Sequence, residues 1–174
     1  MSDRILFLGS SIISLWKNMP DSKRTDNINL GISGLQCKNL LKAYADVKYD
    51  HLSSIIFYCG NNDLLNIQNP NDIYNEISSF IKKIKSQNHN LPIIVLSLLY
   101  SPYIRSEGKL KDVIFINNKL HKLHKLHNIH YVDINKFIDK DCYRKDGIHL
   151  LQRGYNYLNL GLTPILSTIH NKKQ

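Results

Sequence analysis

Apolar residues fall along the chain in two alternating patterns. Short, nearly continuous runs occur at Arg4–Leu8, Asn27–Leu30, Ser53–Cys59, Pro92–Leu98 and Ile129–Val132. Their β-favouring content predicts strands. The longer runs carry little polar alternation, which predicts strands covered on both faces. Between the runs, apolar residues return every three or four positions, as on one side of a helix. This spacing predicts helices over Leu35–Ala45, from Pro70-Asn71-Asp72 to about Gln87, and over Leu110–His127. In the third of these, Val113, Ile116, Leu120 and Leu123 form one stripe. Pro70 marks a good helix entry. A last helix is expected after His149 through Leu166, bent near Pro164. Strand and helix alternate with no linker, repeat or low-complexity tract. The expectation is one α/β domain over residues 1–174, an open parallel sheet with helices on both faces. Such sheets bind ligands beyond the carboxyl ends of their strands.

Composition narrows the picture. The chain has 174 residues, 43% of them hydrophobic, which suits one globular core. No apolar run approaches the roughly 20 residues that span a bilayer, and the N-terminus carries no secretory pattern. Cys37, Cys59 and Cys142 are odd in number and show no CxxC spacing. That argues against a disulfide framework and for a reducing compartment, so the expected address is the cytoplasm. The formal charge of +9 comes from scattered lysines. Asn, Ile and Lys are all heavily used, and their A/T-rich codons supply lysines without a partner that needs them. No stretch interleaves basic residues with aromatics as a strand-tracking groove does, so no nucleic-acid partner is expected. An anionic small substrate stays open.

Each short motif lies at the end of a predicted strand. Gly9-Ser10-Ser11 ends the first, before the helix-like Ile12-Ile13. A serine there sits at a helix N-terminus, where free N–H groups favour developing negative charge; it is equally an ordinary N-cap. "NLGISG" (Asn29 to Gly34) ends the second, and "YCGNND" (Tyr58 to Asp63) ends the third. Both read as turns; the two glycines of the former suggest a loop needing positive φ or close backbone approach, and a side-chain amide of the latter can point a donor into the crevice. "KDGIHL" (Lys145 to Leu150) precedes the last helix. Asp146 and His149 are spaced so that a turn can set the carboxylate on one imidazole nitrogen and leave the other free. A capping aspartate beside a surface histidine has the same spacing. His121, His124, His127 and His130 are read as the solvated face of a lysine-rich helix, because no carboxylate or cysteine is interleaved.

Taken in order, the motifs closely resemble the SGNH, or GDSL-type, hydrolases from Ile5 to Tyr155. The resemblance implies that family's fold, a flavodoxin-like α/β/α sandwich around a five-stranded parallel sheet. It makes Ser11 the nucleophile and puts Ser10 where an aspartate usually stands. It implies Gly34, not Gly31, as the oxyanion glycine and Asn62 as the oxyanion asparagine. Asp146 and His149 complete a Ser-His-Asp triad. Two departures are visible: Ser10 replaces the bracing aspartate, and Gln36-Cys37 follows Gly34 where many members carry Asp-Thr or similar.

The implied activity is that of a serine ester hydrolase working through an acyl-enzyme, with no metal or cofactor required. The expected substrate is a small acyl ester, foremost an O-acetyl group on a carbohydrate or glycan precursor, acetylated or anionic. Little sequence lies between the motifs to build a lid or a long acyl tunnel. Arg144 and Lys145 stand near the site. The alternatives are a lysophospholipase or thioesterase acting on lipid acyl esters, and a non-catalytic binding protein on the same fold.

Overall fold

The computed structural model describes residues 4–20, 27–66 and 68–171. Strands β1 (Ile5–Gly9), β2 (Ile28–Asn29), β3 (Ser54–Tyr58), β4 (Ile93–Leu96) and β5 (Ile129–Val132) form one sheet in the order β2-β1-β3-β4-β5. Every neighbouring pair is parallel. This is the flavodoxin-like, doubly wound order. The chain starts in β1, moves outward to β2, then returns to the other side of β1. That reversal sets the carboxyl ends of β2, β1 and β3 side by side. β1 and β3 also end level, because Gly9 pairs with Tyr58.

The strands form where the apolar runs predict them, and every residue of β1, β3 and β4 is buried. Each buried Leu, Ile or Phe contributes roughly 1.5–3 kcal/mol relative to exposure in water. Those strands therefore need no long ladder. The edge strand β2 is half-buried and only two residues long. It leans on side-chain hydrogen bonds from Asn29 to the Ile13 and Trp16 carbonyls. Helix α4 (Pro70–Gln87) covers one face. Asn69 caps it by accepting the Asn71 N–H at 2.8 Å, and Ile73, Ile77, Phe80, Ile81 and Ile84 turn inward. On that face Phe57 meets Phe80 with ring centres 5.5 Å apart, and Phe80 meets Tyr44 at 5.6 Å. The opposite face carries α7 (Gln152–Asn171), where Phe7 packs edge-on against Trp16 at 5.5 Å and Trp16 against Tyr155 at 5.7 Å. The sandwich thus has three layers.

Several helices differ from the periodicity. Residues 35–45 hold a 3-10 turn at Cys37–Asn39 and a short α2 (Leu40–Ala43), not one continuous helix. Helix α6 covers Leu110–His121, and Lys122–Lys125 tightens into a 3-10 turn. The chain then reverses into β5 at Asn128, whose φ of 54° is left-handed. His130 belongs to β5 and not to the helix face, whereas His121, His124 and His127 are exposed. Helix α7 continues through Pro164 to Asn171. α5 (Pro102–Ser106) has a plain signal that the apolar pattern hides: Ser101 caps it by accepting the Ile104 N–H at 3.3 Å, with Pro102 at its first position. No helix among the described residues is long and apolar enough to cross a membrane.

Candidate active site

Ser11 opens α1 (Ser11–Ser14) directly after β1. The Ser10 N–H still belongs to the sheet edge and donates to the Tyr58 carbonyl at 3.0 Å. The Ser10 carbonyl already belongs to the turn and accepts the Ile13 and Ser14 N–H groups, both at 3.0 Å. The chain thus bends at Ser10 and presents Ser11 at the turn's N-terminal end, where backbone N–H groups lack intrahelical acceptors. The peptide before it is braced by Tyr44. The Tyr44 hydroxyl accepts the Gly9 N–H at 3.0 Å and lies 3.2 Å from the Gly9 carbonyl and 3.0 Å from the Leu30 carbonyl. Burial pushes this hydroxyl up to about 12, so it stays a neutral donor at working pH. One side chain therefore ties the first loop to the second. Sequence reading missed it, since nothing local marks a tyrosine whose partners lie 14 and 35 residues away.

The two glycines of the second loop serve different ends. A Cβ on Gly31 would lie 2.4 Å from the Ser14 backbone nitrogen, so Gly31 allows the loop to press against α1. Gly34 instead has φ +78°, and a Cβ there would meet nothing within 4 Å. It needs glycine for its backbone conformation and faces open space. The loop is stitched to α1 by Asn29 Nδ2 donating to the Ile13 carbonyl at 2.7 Å and by Ser14 Oγ against Ser33 Oγ at 2.6 Å.

The third motif is a short helix, α3 (Asn61–Leu65), and not a simple turn. It starts at Gly60, whose φ of 139° suits only glycine. Asn62 Nδ2 donates one hydrogen to the Leu35 carbonyl at 3.1 Å, which leaves the amide's second hydrogen free to serve another acceptor. Asp63 points inward, fully buried, and its Oδ1 accepts the Cys37 N–H at 2.7 Å. Burial raises this carboxyl to about 6 despite the hydrogen bonds from Cys37 that pull it down. Both side chains therefore reach the segment just after Gly34. Among the described residues, one set of metal-ligand types gathers closely: Cys37, Cys59 and Asp63, buried beneath these two loops.

The fourth motif is the best defined. Asp146 Oδ1 accepts the Ile148 N–H at 2.8 Å and the His149 N–H at 2.9 Å, while Oδ2 faces His149 Nδ1 at 2.8 Å. Partial burial acts to raise the Asp146 carboxyl, but the imidazole and these two N–H groups outweigh it and hold it at about 2. The carboxylate stays ionised and can only accept, so Nδ1 is the donor in this pair and Nε2 lies outside it. The turn is seated by the Tyr103 N–H, which donates to the Gly147 carbonyl at 3.1 Å, and by the Arg144 N–H, which donates to the His149 carbonyl at 2.7 Å. Ser11 and His149 do not hydrogen-bond to each other; their turns are joined through α7. Tyr155 Oη donates to the Ile12 carbonyl at 3.1 Å, and Trp16 Nε1 to Asn159 Oδ1 at 2.9 Å.

A doubly wound parallel sheet with its motif-bearing loops in this order defines an SGNH-type α/β hydrolase. The chain matches the GDSL-like Lipase/Acylhydrolase family over residues 9–157, and it belongs to that family. It is therefore an ester hydrolase. No curated protein matches it. Among solved structures, a provisionally assigned platelet activating factor from Streptococcus pneumonia superposes with TM-score 0.82 at 22% identity, covering 95% of this chain and 85% of that one. An acetyl esterase variant bound to acetate superposes at 0.76 with 15% identity, covering 99% and 100%. A carbohydrate esterase family 3 protein from Talaromyces cellulolyticus does so at 0.75 with 16% identity, covering 98% and 99%.

Proposed function

We propose that the protein, acting as one domain, hydrolyses small acyl esters, foremost O-acetyl groups on a carbohydrate or glycan precursor, through Ser11, His149 and Asp146. The observation that carries this reading is the Asp146–His149 pair, built into one turn with Nδ1 engaged at 2.8 Å and Nε2 left as a base. A surface histidine beside a mere capping aspartate has no need of that second contact. His149 Nε2 takes the Ser11 Oγ proton as Oγ attacks the ester carbon. The carbonyl electron pair moves onto oxygen, and the Ser11 N–H, the Gly34 N–H and the second Asn62 amide hydrogen receive it. The tetrahedral adduct collapses, and the imidazolium proton leaves with the alcohol. Water then repeats the sequence on the acyl-enzyme and releases the acid. No step requires a metal.

The acetyl preference is supported by the short segments between motifs and by likeness in fold to an acetyl esterase and a carbohydrate esterase. Arg144 is exposed next to the catalytic turn and suits an anionic sugar. Three free, buried cysteines support a cytoplasmic address. A competing reading, a lysophospholipase or thioesterase, draws on exposed Leu30 and Ile32 near Gly34. A fluorophosphonate probe with peptide mapping tests the chemistry. One adduct on Ser11 is expected, absent in Ser11→Ala and greatly slowed in His149→Ala. Adduct on Ser10, or no adduct on folded protein, overturns the assignment. A graded series of p-nitrophenyl esters tests the acyl group: preference for long chains rejects the acetyl reading.

A further inference from the structure

The set of residues beneath the oxyanion loops has no part in ester chemistry, yet its composition is unusual for a core. Cys37 opens the 3-10 turn that follows Gly34, Cys59 directly precedes Gly60, and Asp63 directly follows Asn62. Their two Sγ atoms and a carboxylate oxygen lie within 4.8 Å of one another, and all three residues are buried. Asp63 Oδ1 is satisfied by the Cys37 N–H at 2.7 Å and the Cys37 thiol bears on the same carboxyl, but among the described residues Oδ2 is buried with no hydrogen-bond partner of its own and no cation beside it. Cys59 Sγ faces the Leu35 carbonyl at 3.5 Å. Among the described residues, no Lys, Arg or His pairs with this carboxylate, and Glu76, of the same sign, acts only to raise it further.

A carboxylate oxygen idle in a dry interior is costly unless something positive or protic meets it. Two sulfurs at the same point select what that is. Thiolates favour soft or borderline cations over Mg²⁺ and Ca²⁺. We infer that Cys37, Cys59 and Asp63 form a buried binding site for one thiophilic divalent cation of the zinc class, with the Leu35 carbonyl at hand as a fourth ligand. Tetrahedral zinc with Zn–S bonds of about 2.3 Å needs sulfurs about 3.8 Å apart, so the cluster needs little rearrangement. On binding, the two thiols release two protons to solvent, their sulfur lone pairs form two metal–sulfur bonds, and the carboxylate supplies a third. Burial, then the adjoining Cys59 and Asp63, pushes the Cys37 thiol up, so protons compete with the metal. The bound ion clamps the segment after Gly34 to the segment that carries Asn62. It is structural and touches no substrate.

The test uses the full chain, reduced and stripped with a chelator, then titrated with Cd²⁺ while the ultraviolet thiolate-to-cadmium band is followed. One equivalent per chain is expected, displaced by Zn²⁺ and unaffected by Mg²⁺. The band is lost in Cys37→Ser and Cys59→Ser, retained in Cys142→Ser, and appears at least tenfold more weakly bound in Asp63→Asn. Affinity rises with pH, by up to about 100-fold per unit while both thiols hold their protons. Zn²⁺ raises the melting temperature of the unmutated protein, a readout that needs neither a variant nor esterase activity. No band on the folded protein overturns the site, as does a band that survives Cys37→Ser or Cys59→Ser with the fold intact by circular dichroism. A reduced protein that takes up no Cd²⁺, yet closes a Cys37–Cys59 disulfide under mild oxidant, also overturns it.

Discussion

Replacing Asn62 by alanine separates two roles that one side chain carries. The first is a brace: Nδ2 donates to the Leu35 carbonyl at 3.1 Å and holds the Gly34 loop against α3. A half-exposed neutral hydrogen bond of this kind contributes about 0.5–1.5 kcal/mol to stability. For a chain of this size, that corresponds to a fall of about 1–6 °C in melting temperature. The second is the proposed oxyanion donor, formed by the amide's other hydrogen. Losing such a donor costs about 3–4 kcal/mol in the transition state and lowers kcat by about 10²–10³. The two effects differ enough to separate. Hydrolysis of p-nitrophenyl acetate gives kcat and KM, and thermal unfolding gives the stability. The expected result is a large loss of kcat, little change in KM and a small drop in melting temperature. A kcat within threefold of the unmutated enzyme, or a loss confined to KM, refutes the oxyanion role and leaves Asn62 as a brace.

Three further outcomes follow from the same geometry. Tyr44→Phe keeps the ring on Phe80 but strips the partner from the buried Gly9 N–H; stability falls by about 1–3 kcal/mol and kcat falls with KM unchanged, measured by urea unfolding and kinetics. Asp146→Asn leaves the exposed turn folded but removes the charge that orients His149; kcat falls on the order of 10³–10⁴ with a small drop in melting temperature, and an active variant excludes the triad. Asp63 binds its proton more tightly in the fold, at about 6 against 3.8. Its contribution is therefore full at acid pH and is lost as pH rises from about 4 through about 6, by about 3 kcal/mol. Urea unfolding of metal-free protein at the two ends of that range, against Asp63→Asn, reads the difference; identical slopes contradict the burial argument.

Much of this protein was legible before folding. Continuous apolar runs marked β1, β3 and β4, because a strand covered on both faces has no polar side to show. Pro70-Asn71-Asp72 marked the entry of α4, where the structure adds the Asn69 cap and an inward stripe of Ile73, Ile77, Ile81 and Ile84. The motifs stood at strand ends in recognisable order. Helix ends at Leu40, His121 and Asn61 were obscure, because they depend on where the chain must turn to meet its neighbours. Tyr44 was invisible as a brace, since its hydroxyl joins Gly9 and Leu30 only once β2 lies beside β1. The grouping of Cys37, Cys59 and Asp63 likewise exists only because the loops after β2 and β3 are brought together.

The sequence by itself determined the alternation of strands and helices and the layer count, which are properties of local periodicity, while the candidate catalytic residues came from the resemblance of its ordered motifs to a known family. Tertiary structure alone decided that β1 lies between β2 and β3, that Asp146 holds His149 at Nδ1, and that Tyr155 ties the helix following His149 to the serine's turn. The division has one physical cause. Burial patterns repeat within a few residues and can be read along a chain, whereas a hydrogen bond between distant residues leaves no periodic trace until the backbone has closed around it.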